Sequence, residues 1–183
     1  MPARLLPFAA AVLLGLTSLT PHTAPRTASD NPFAPFFGTR ALQNDQFQQV
    51  WDGQTVETLT IPNHITVCEP INTAQRVLCV VDAGDLKGHI LWSLNTDTQQ
   101  VHHLSHFGAA RSGVGTGRLS TAGDLTTQVR FQGEPEGSYR IYAYEWLSAD
   151  VYTMHSAQYD STGQATGNGY GGTFVRVSAQ PYR

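Results

Sequence analysis

The sequence predicts an all-β protein built as an up-and-down antiparallel barrel of about nine or ten strands. Its 183 residues include 17 glycines, 7 tyrosines and 8 phenylalanines, a composition that suits short strands joined by many turns. Between the turns, apolar and polar residues alternate, as over Tyr139–Leu147 and Val151–Tyr159, with the period of a half-buried strand. A meander of this length must curl, and closure removes its exposed edges. The alternative, a two-sheet Greek-key sandwich, needs a longer connection than the sequence shows.

The N-terminus has the pattern of a secretory signal peptide. A short basic start, Met1–Arg4, precedes the apolar run Leu5–Leu19, and we expect a signal peptide over residues 1–24 with cleavage between 24 and 28. The alternative, an uncleaved anchor, is disfavoured because about 15 apolar residues fall short of the roughly 20 that span a membrane. We therefore expect residues 31–183 to be a single domain, exported to the periplasm or the medium, without an integral membrane segment in the mature chain.

Next comes Asn31–Arg40, which is rich in phenylalanine. Phe33, Phe36 and Phe37 lie between prolines and a glycine, in a segment too short and too broken for a strand. It predicts a hydrophobic plug that packs against one end of the barrel. The alternative is a scaffold protein that presents these rings to an envelope partner.

Two further stretches of the sequence predict turns. Asp52-Gly53 predicts a two-residue hairpin turn between Gln46–Trp51 and Gln54–Pro62, since Asp-Gly is among the strongest such signals. Near the C-terminus, five glycines between residues 160 and 172 predict a long connection before a short closing strand, Thr173–Val177.

The two cysteines are expected to meet. If Ile65–Cys68 and Val77–Asp82 form a hairpin, Cys68 lies opposite Cys79, and two cysteines in an exported chain favour a structural disulfide. The alternative is a redox-active or metal-binding pair, but the spacing is not C-x-x-C.

A hairpin of Gly88–Asn95 and Gln100–Phe107 determines which histidines face inward. Pairing Asn95 with Gln100 keeps apolar and polar residues on separate faces. The inner face then carries Ile90, Trp92, Leu94, Val101, His103, Ser105 and Phe107. The outer face carries His89, His102 and His106, which we expect to be solvated rather than a metal site.

The last aromatic hairpin supplies most of the predicted lining. Pairing Leu147 with Val151 directs one set of large side chains inward, and they join the inner residues of the middle hairpin. The predicted ligand-binding residues are Trp92, His103, Arg140, Tyr142, Tyr144, Trp146, Tyr152 and Met154. Aromatic rings with hydroxyls, an imidazole and a guanidinium suit a mostly apolar ligand with one polar or acidic group. The alternative is a closed, self-packed core.

Charge and motifs exclude several functions. The net charge of −3, with 14% charged residues, gives no basic surface for nucleic acid. No catalytic or cofactor-binding motif occurs, so we expect no cofactor, and Glu134 and Glu136 are expected to be a solvated pair at a turn. An isomerase or hydrolase using His103 with Tyr144 or Arg140 is the enzymatic alternative.

Several segments resemble a known family. They are YRIYAYEWL, HSAQYDSTGQATGNGYGGTFVRV, WDGQTVETLTIPN and VHHLSHFGAARSGVGTG. Over Phe36–Val177 the chain resembles a group of uncharacterised secreted bacterial proteins placed among the lipocalin-like, or calycin, barrels. The resemblance implies a lipocalin-like barrel with room for a small ligand, and it implies no particular activity. The predicted lining favours a small apolar or amphipathic molecule as that ligand. The lipocalin Gly-x-Trp signature is not matched, because Gly38 is followed by Thr39 and Arg40.

Overall fold

The computed structural model describes residues 31–71 and 75–179, and these form twelve β-strands and two 3₁₀ turns. The strands are β1 (Gly38–Leu42), β2 (Gln46–Val50), β3 (Glu57–Thr60), β4 (Ile65–Pro70), β5 (Arg76–Ala83), β6 (Leu86–Asn95), β7 (Gln100–Phe107), β8 (Arg111–Leu119), β9 (Leu125–Phe131), β10 (Tyr139–Trp146), β11 (Val151–Tyr159) and β12 (Ala165–Ser178). The 3₁₀ turns are Ala34–Phe36 and Gln43–Asp45. The predicted signal peptide lies outside the described residues.

Ten of these strands close a barrel. β1 pairs with β4 on one side and with β12 on the other, and from β4 to β12 each strand pairs with the next along the chain. All pairings are antiparallel, so the predicted up-and-down barrel is confirmed. The remaining hairpin extends the wall at one end: β2 pairs with residues 169–171 of β12, and β3 pairs only with β2 among the described strands.

The alternation of side chains along each strand builds the interior. In β9, Leu125, Thr127, Val129 and Phe131 are buried, whereas the three residues between them are exposed. Successive side chains of a strand point to opposite faces of the sheet, so the buried set is the one that faces into the barrel.

The predicted registers of the central hairpins are confirmed. Asn95 pairs with Gln100, which places Trp92 opposite His103 inside the barrel and His89 opposite His106 outside it. In the last hairpin, Trp146 pairs with Tyr152, the register that follows from a turn between Leu147 and Val151. A one-residue slip would have turned every apolar residue outward, and this cost explains why the pattern fixes the register.

The two cysteines form the predicted disulfide. Cys68 pairs with Cys79 across β4 and β5, and the two sulfurs are bonded. Both residues are buried. The bridge therefore joins two neighbouring strands inside the barrel wall.

The C-terminal strand is much longer than predicted. Ala165–Ser178 is one strand of 14 residues, so the glycine-rich stretch 165–172 is part of the sheet, and only residues 160–164 form the turn. A side chain at Gly169 or Gly171 would collide with the carbonyl oxygens of Ser156 and Met154 on β11. These glycines therefore permit close approach of two strands, and the prediction that they mark a loop was wrong.

Two predictions near the N-terminus also need correction. Gly38–Leu42, the end of the predicted plug and the two residues after it, is strand β1, and it closes the barrel. The Asp52-Gly53 turn is not a two-residue turn, because Gln49 pairs with Glu57 and the loop between the strands is longer. The carboxylate of Asp52 orders this loop by accepting hydrogen bonds from Gln54 N and Thr55 N.

The plug itself is present at the closed end of the barrel. Phe33 and Phe36 are 0% and 1% exposed, so they do not offer a phenylalanine surface to a partner. Arg176 of β12 donates hydrogen bonds to the carbonyls of Phe37 and Pro35, and Arg40 donates to Pro35 O at 2.7 Å. Burial and the charge of Arg176 lower the pKa of Arg40 to about 10. Two guanidinium groups thus hold the plug against the barrel.

Candidate functional site

A cavity of about 310 Å³ lies between the plugged end and the opposite rim of the barrel. Aromatic and aliphatic side chains supply most of its wall. Its lining includes Phe47, Trp51, Leu59, Ile61, Val81, Ile90, Trp92, Phe107, Phe131, Tyr142, Tyr144, Tyr152, Met154, Tyr170 and Phe174. Polar side chains are fewer, namely Gln49, His64, Thr66, His103 and Arg111.

The cavity reaches the surface beside β3. Leu59 on β3 and Leu86 at the start of β6 both line it, and they are 37% and 50% exposed. Trp51, in the loop that leads to β3, is 48% exposed. Lining residues with this much exposure mark an opening, which lies beside β3, a strand that pairs only with β2 among the described strands. We call this opening the mouth.

The floor of the cavity is aromatic and tightly packed. Phe36 of the plug contacts Trp92, Tyr144 and Tyr152 with ring centroids 5.1 to 5.9 Å apart. Trp92 and Tyr144 also meet edge to face at 5.1 Å. Such tilted contacts are the favoured geometry of aromatic pairs. The plug therefore supports the lining residues from below.

His103 is the only histidine deep in this floor among the described residues, and its hydrogen bonds fix its protonation. Trp92 Nε1 donates to His103 Nδ1 at 2.9 Å, and His103 Nε2 lies 3.0 Å from Ser105 Oγ. Because an indole nitrogen only donates, Nδ1 must be the unprotonated nitrogen. Burial lowers the pKa of His103 to about 4. His103 is thus a neutral imidazole with its proton on Nε2, and its side-chain hydrogen-bond partners among the described residues are Trp92 and Ser105.

Tyrosine hydroxyls add hydrogen-bonding groups to the wall. The hydroxyls of Tyr142 and Tyr170 are hydrogen-bonded to each other. Burial raises the pKa of Tyr142 and of Tyr144 well above the ordinary value, and it also raises that of Tyr152. These phenols therefore remain protonated at neutral pH.

An ion cluster lies at the mouth. Arg111 Nη2 and Arg140 Nε donate to the same oxygen of Glu134, at 2.8 and 2.7 Å. The side chain of Glu134 is only 11% exposed, so the prediction that it is solvated was wrong, whereas Glu136 is exposed as expected. Sequence reasoning missed this role because Arg111 lies 23 residues away from Glu134 along the chain. We call these three residues the mouth cluster.

The cluster rests on the aromatic wall of the cavity. The guanidinium of Arg111 lies 4.4 Å over the ring of Phe131. That of Arg140 lies 5.4 Å from the ring centroids of both Trp51 and Tyr170. Phe131, Trp51 and Tyr170 all line the cavity, so its aromatic surface and the cluster are continuous.

His64 is a lining residue that the sequence did not predict. It is 7% exposed, its ring meets Phe174 edge to face, and its Nδ1 has no hydrogen-bond partner among the described residues. Burial lowers its pKa. Its place between β3 and β4 falls in a segment without a clear strand pattern, so no sequence signal assigned it to the interior.

Six of the eight predicted ligand-binding residues line the cavity: Trp92, His103, Tyr142, Tyr144, Tyr152 and Met154. Arg140 belongs to the mouth cluster, behind the lining rings of Trp51 and Tyr170. Trp146 lies against the plug, where it contacts Phe36 at 5.1 Å and donates to Gly123 O. The structure therefore brings the predicted set into one interior, with Trp146 below the cavity.

Two of the surface histidines, His89 and His106, lie against each other on the outer face. The rings of His89 and His106 stack with centroids 5.9 Å apart, and Nδ1 of His106 is hydrogen-bonded to Ser112. Over residues 31–71 and 75–179, no group of three or more histidine, cysteine or acidic side chains has the geometry to hold a metal ion.

The fold and the cavity define a closed antiparallel β-barrel with a mostly apolar internal cavity. No protein-family model matches the chain, and no curated protein matches it. Within the described part of the chain, no helix is long and apolar enough to span a membrane.

Two solved structures show a distant likeness to the chain. The structure of EF1p2_mFAP2b bound to DFHBI has 11% identity and a TM-score of 0.36, covering 81% of this chain and 99% of that chain. A protein with unknown function from the DUF3598 family of Nostoc punctiforme has 10% identity and a TM-score of 0.21, covering 82% and 99%. Likenesses this remote carry no argument about the function of this chain.

Proposed function

We propose that this barrel binds a small, mostly apolar or amphipathic molecule in its central cavity. The observation that supports the proposal is the unfilled, mainly apolar space of about 310 Å³ in a barrel whose floor is otherwise closely packed. Protein interiors are normally filled to crystal-like density, and unfilled apolar volume costs stability. A ligand that occupies this space regains the lost contacts.

The size and lining of the cavity limit the ligand. Its volume is at the low end of the roughly 300–1,000 Å³ typical of ligand pockets. Aromatic rings cover most of the wall, and the buried tyrosine hydroxyls provide a few polar contacts. We therefore expect a compact ligand with an apolar body and few polar groups.

Binding of the neutral dye N-phenyl-1-naphthylamine to the full-length chain tests this proposal. Its fluorescence increases when it leaves water for an apolar site, so a saturable increase at a stoichiometry of one is expected. Val81→Trp should abolish the increase, because Val81 lines the cavity. Val80→Trp is the matched control, since Val80 is the next residue of β5 and is 48% exposed.

Dye binding by the two variants distinguishes a site in the cavity from a site elsewhere on the protein. Loss of binding in Val81→Trp, with a normal melting temperature and with binding retained in Val80→Trp, supports a ligand site in the cavity. Equal binding by both variants would place the dye elsewhere and contradict the proposal.

We also propose that the protein is exported to the periplasm or the medium. The disulfide Cys68–Cys79 supports this, because disulfides persist mainly in oxidising compartments. Residues 1–30 fused to a reporter enzyme that is active only after export should give activity. Deletion of Leu5–Leu19 should remove that activity, and a fusion that is inactive with the segment intact would contradict export.

A further inference from the structure

We infer that the mouth cluster binds the acidic group of the ligand, so that the molecule held by the barrel is a small organic acid with an apolar body. This inference rests on the proposed function and names the chemical class of the ligand. It depends on the charge, burial and unused hydrogen-bonding capacity of Arg111, Glu134 and Arg140.

The cluster carries a net positive charge. Two guanidinium groups share a single carboxylate, and no other acidic side chain in the described part of the chain forms an ion pair with either arginine. The excess is therefore one positive charge in a chain whose overall charge is −3. A buried cation without a full complement of partners favours an anion beside it.

Arg140 also has a donor to spare. It is 3% exposed, and its Nη1 is buried with no hydrogen-bond partner in the described structure. Leaving a buried charged donor unsatisfied is costly. A carboxylate can accept two parallel hydrogen bonds from a guanidinium, which makes arginine the residue best suited to bind this group.

The cluster is placed to meet the end of a ligand held in the cavity. Arg111 itself lines the cavity, whereas Arg140 lies behind the lining rings of Trp51 and Tyr170. A ligand whose apolar body fills the cavity can therefore direct an acidic group toward Arg111, and the charge of Arg140 behind these rings adds to the attraction.

Glu134 limits the affinity for the anion in this arrangement. Its Oε1 accepts from both arginines, and its Oε2 is buried without a partner. Removal of its charge would leave two cations for the ligand. The inference thus predicts opposite effects for substitutions of Glu134 and Arg111, which a purely structural cluster would not produce.

The experiment uses N-phenyl-1-naphthylamine as the reporter and compares its displacement by decanoate and by decan-1-ol at pH 7.5. These competitors share a ten-carbon apolar chain and differ in the acidic group. The quantity measured is the ratio of the two inhibition constants, which cancels the contribution of the apolar chain. Three full-length variants are compared with the natural sequence: Arg111→Gln, Glu134→Gln and Arg130→Gln.

Arg111→Gln should reduce the preference for decanoate by about tenfold, the effect of losing one charge-assisted hydrogen bond. Glu134→Gln should increase the preference several-fold. Arg130→Gln is the matched control, because Arg130 is exposed on the outer face of β9 next to Phe131. It removes the same charge, and it should change the ratio less than about twofold, the size expected of a screened surface charge.

Each other result counts against the inference. An unchanged ratio in Arg111→Gln and Glu134→Gln, with the dye still bound, would overturn the acid site and leave the proposed function intact. If Arg111→Gln and Arg130→Gln changed the ratio equally, the preference for decanoate would come from the overall charge of the protein. That result would also overturn the inference. Failure of the natural protein to bind the dye would overturn the proposed function as well. Because the side chain of Arg111 is partly exposed, we expect Arg111→Gln to fold normally.

Discussion

The indole Nε1 of Trp92 donates a hydrogen bond of 2.9 Å to Nδ1 of His103 inside the barrel. The two residues are directly paired across β6 and β7, so the register of one hairpin creates the contact. Since the bond occupies the lone pair of Nδ1, and Nε2 carries the proton, His103 has no free basic nitrogen. Its role in the floor is to satisfy Trp92 and Ser105 while it fills space.

The buried state of His103 should make stability depend on pH. Its pKa is about 4 in the folded protein, against an ordinary value of 6.5, so only the unfolded chain gains a proton as the pH falls between these values. The contribution of neutral His103 to the free energy of unfolding is therefore complete above about pH 6.5. It decreases by at most about 3 kcal/mol as the pH falls toward 4. His103→Gln should destabilise the protein at pH 7 and less so at pH 4. Urea unfolding of both proteins across this range measures the difference.

A constant difference between the two unfolding curves at every pH would contradict a neutral, buried His103. The pKa of His64 is lowered by burial as well, so a smaller slope in the same direction should persist in the variant.

The disulfide should contribute measurably to stability. Cys68 and Cys79 are 11 residues apart, and closing a loop of this length in the unfolded chain stabilises the fold by about 3 kcal/mol. The double variant Cys68→Ala, Cys79→Ala should lower the free energy of unfolding by about this amount, as measured by urea unfolding. Equal stability of the variant and the oxidised protein would show that the bridge does not constrain the unfolded chain.

The plug should be part of the core. Phe36 is 1% exposed and meets Trp92 and Trp146 at 5.1 Å, so Phe36→Ala should cost about 3–5 kcal/mol, the usual effect of removing a buried phenylalanine. Phe37 is the matched control, because it is the adjacent phenylalanine and is only partly buried. Thermal unfolding of both variants measures the difference. A loss in Phe36→Ala no greater than in Phe37→Ala would mean that the plug does not support the floor.

The sequence predicts the strands of this protein best where side chains alternate. In Gln100–Phe107 and Val151–Tyr159 the bounds are those of β7 and β11, because one face of each strand is buried and the other is exposed. Glycine-rich β12 has no such alternation. Its glycines are required because β11 approaches too closely for a side chain. This contact forms only in the folded barrel, so the local sequence does not indicate it.

The residues of the site were likewise predicted where the side chains of a strand alternate, and missed elsewhere. Trp92, His103, Tyr142 and Tyr144 were predicted because their hairpins have an apolar face. Of the mouth cluster, Arg140 was predicted as a lining residue, whereas Arg111 and Glu134 were not. The pairing of β8 with β9, with Gly113 opposite Phe131, brings Arg111 beside the turn that holds Glu134. The contact therefore depends on the register of this hairpin, which was not predicted from the sequence.

The most direct test of a ligand site in the barrel uses its methionines. The chain has two methionines, Met1 and Met154, and Met154 lines the cavity. With carbon-13 in the methionine methyl groups, an NMR spectrum of the full-length protein has one probe in the site and one at the first residue. Titration with N-phenyl-1-naphthylamine should shift the Met154 signal, with saturation, and leave the Met1 signal in place. A Met154 signal that stays unmoved while the dye binds would contradict a ligand in the cavity.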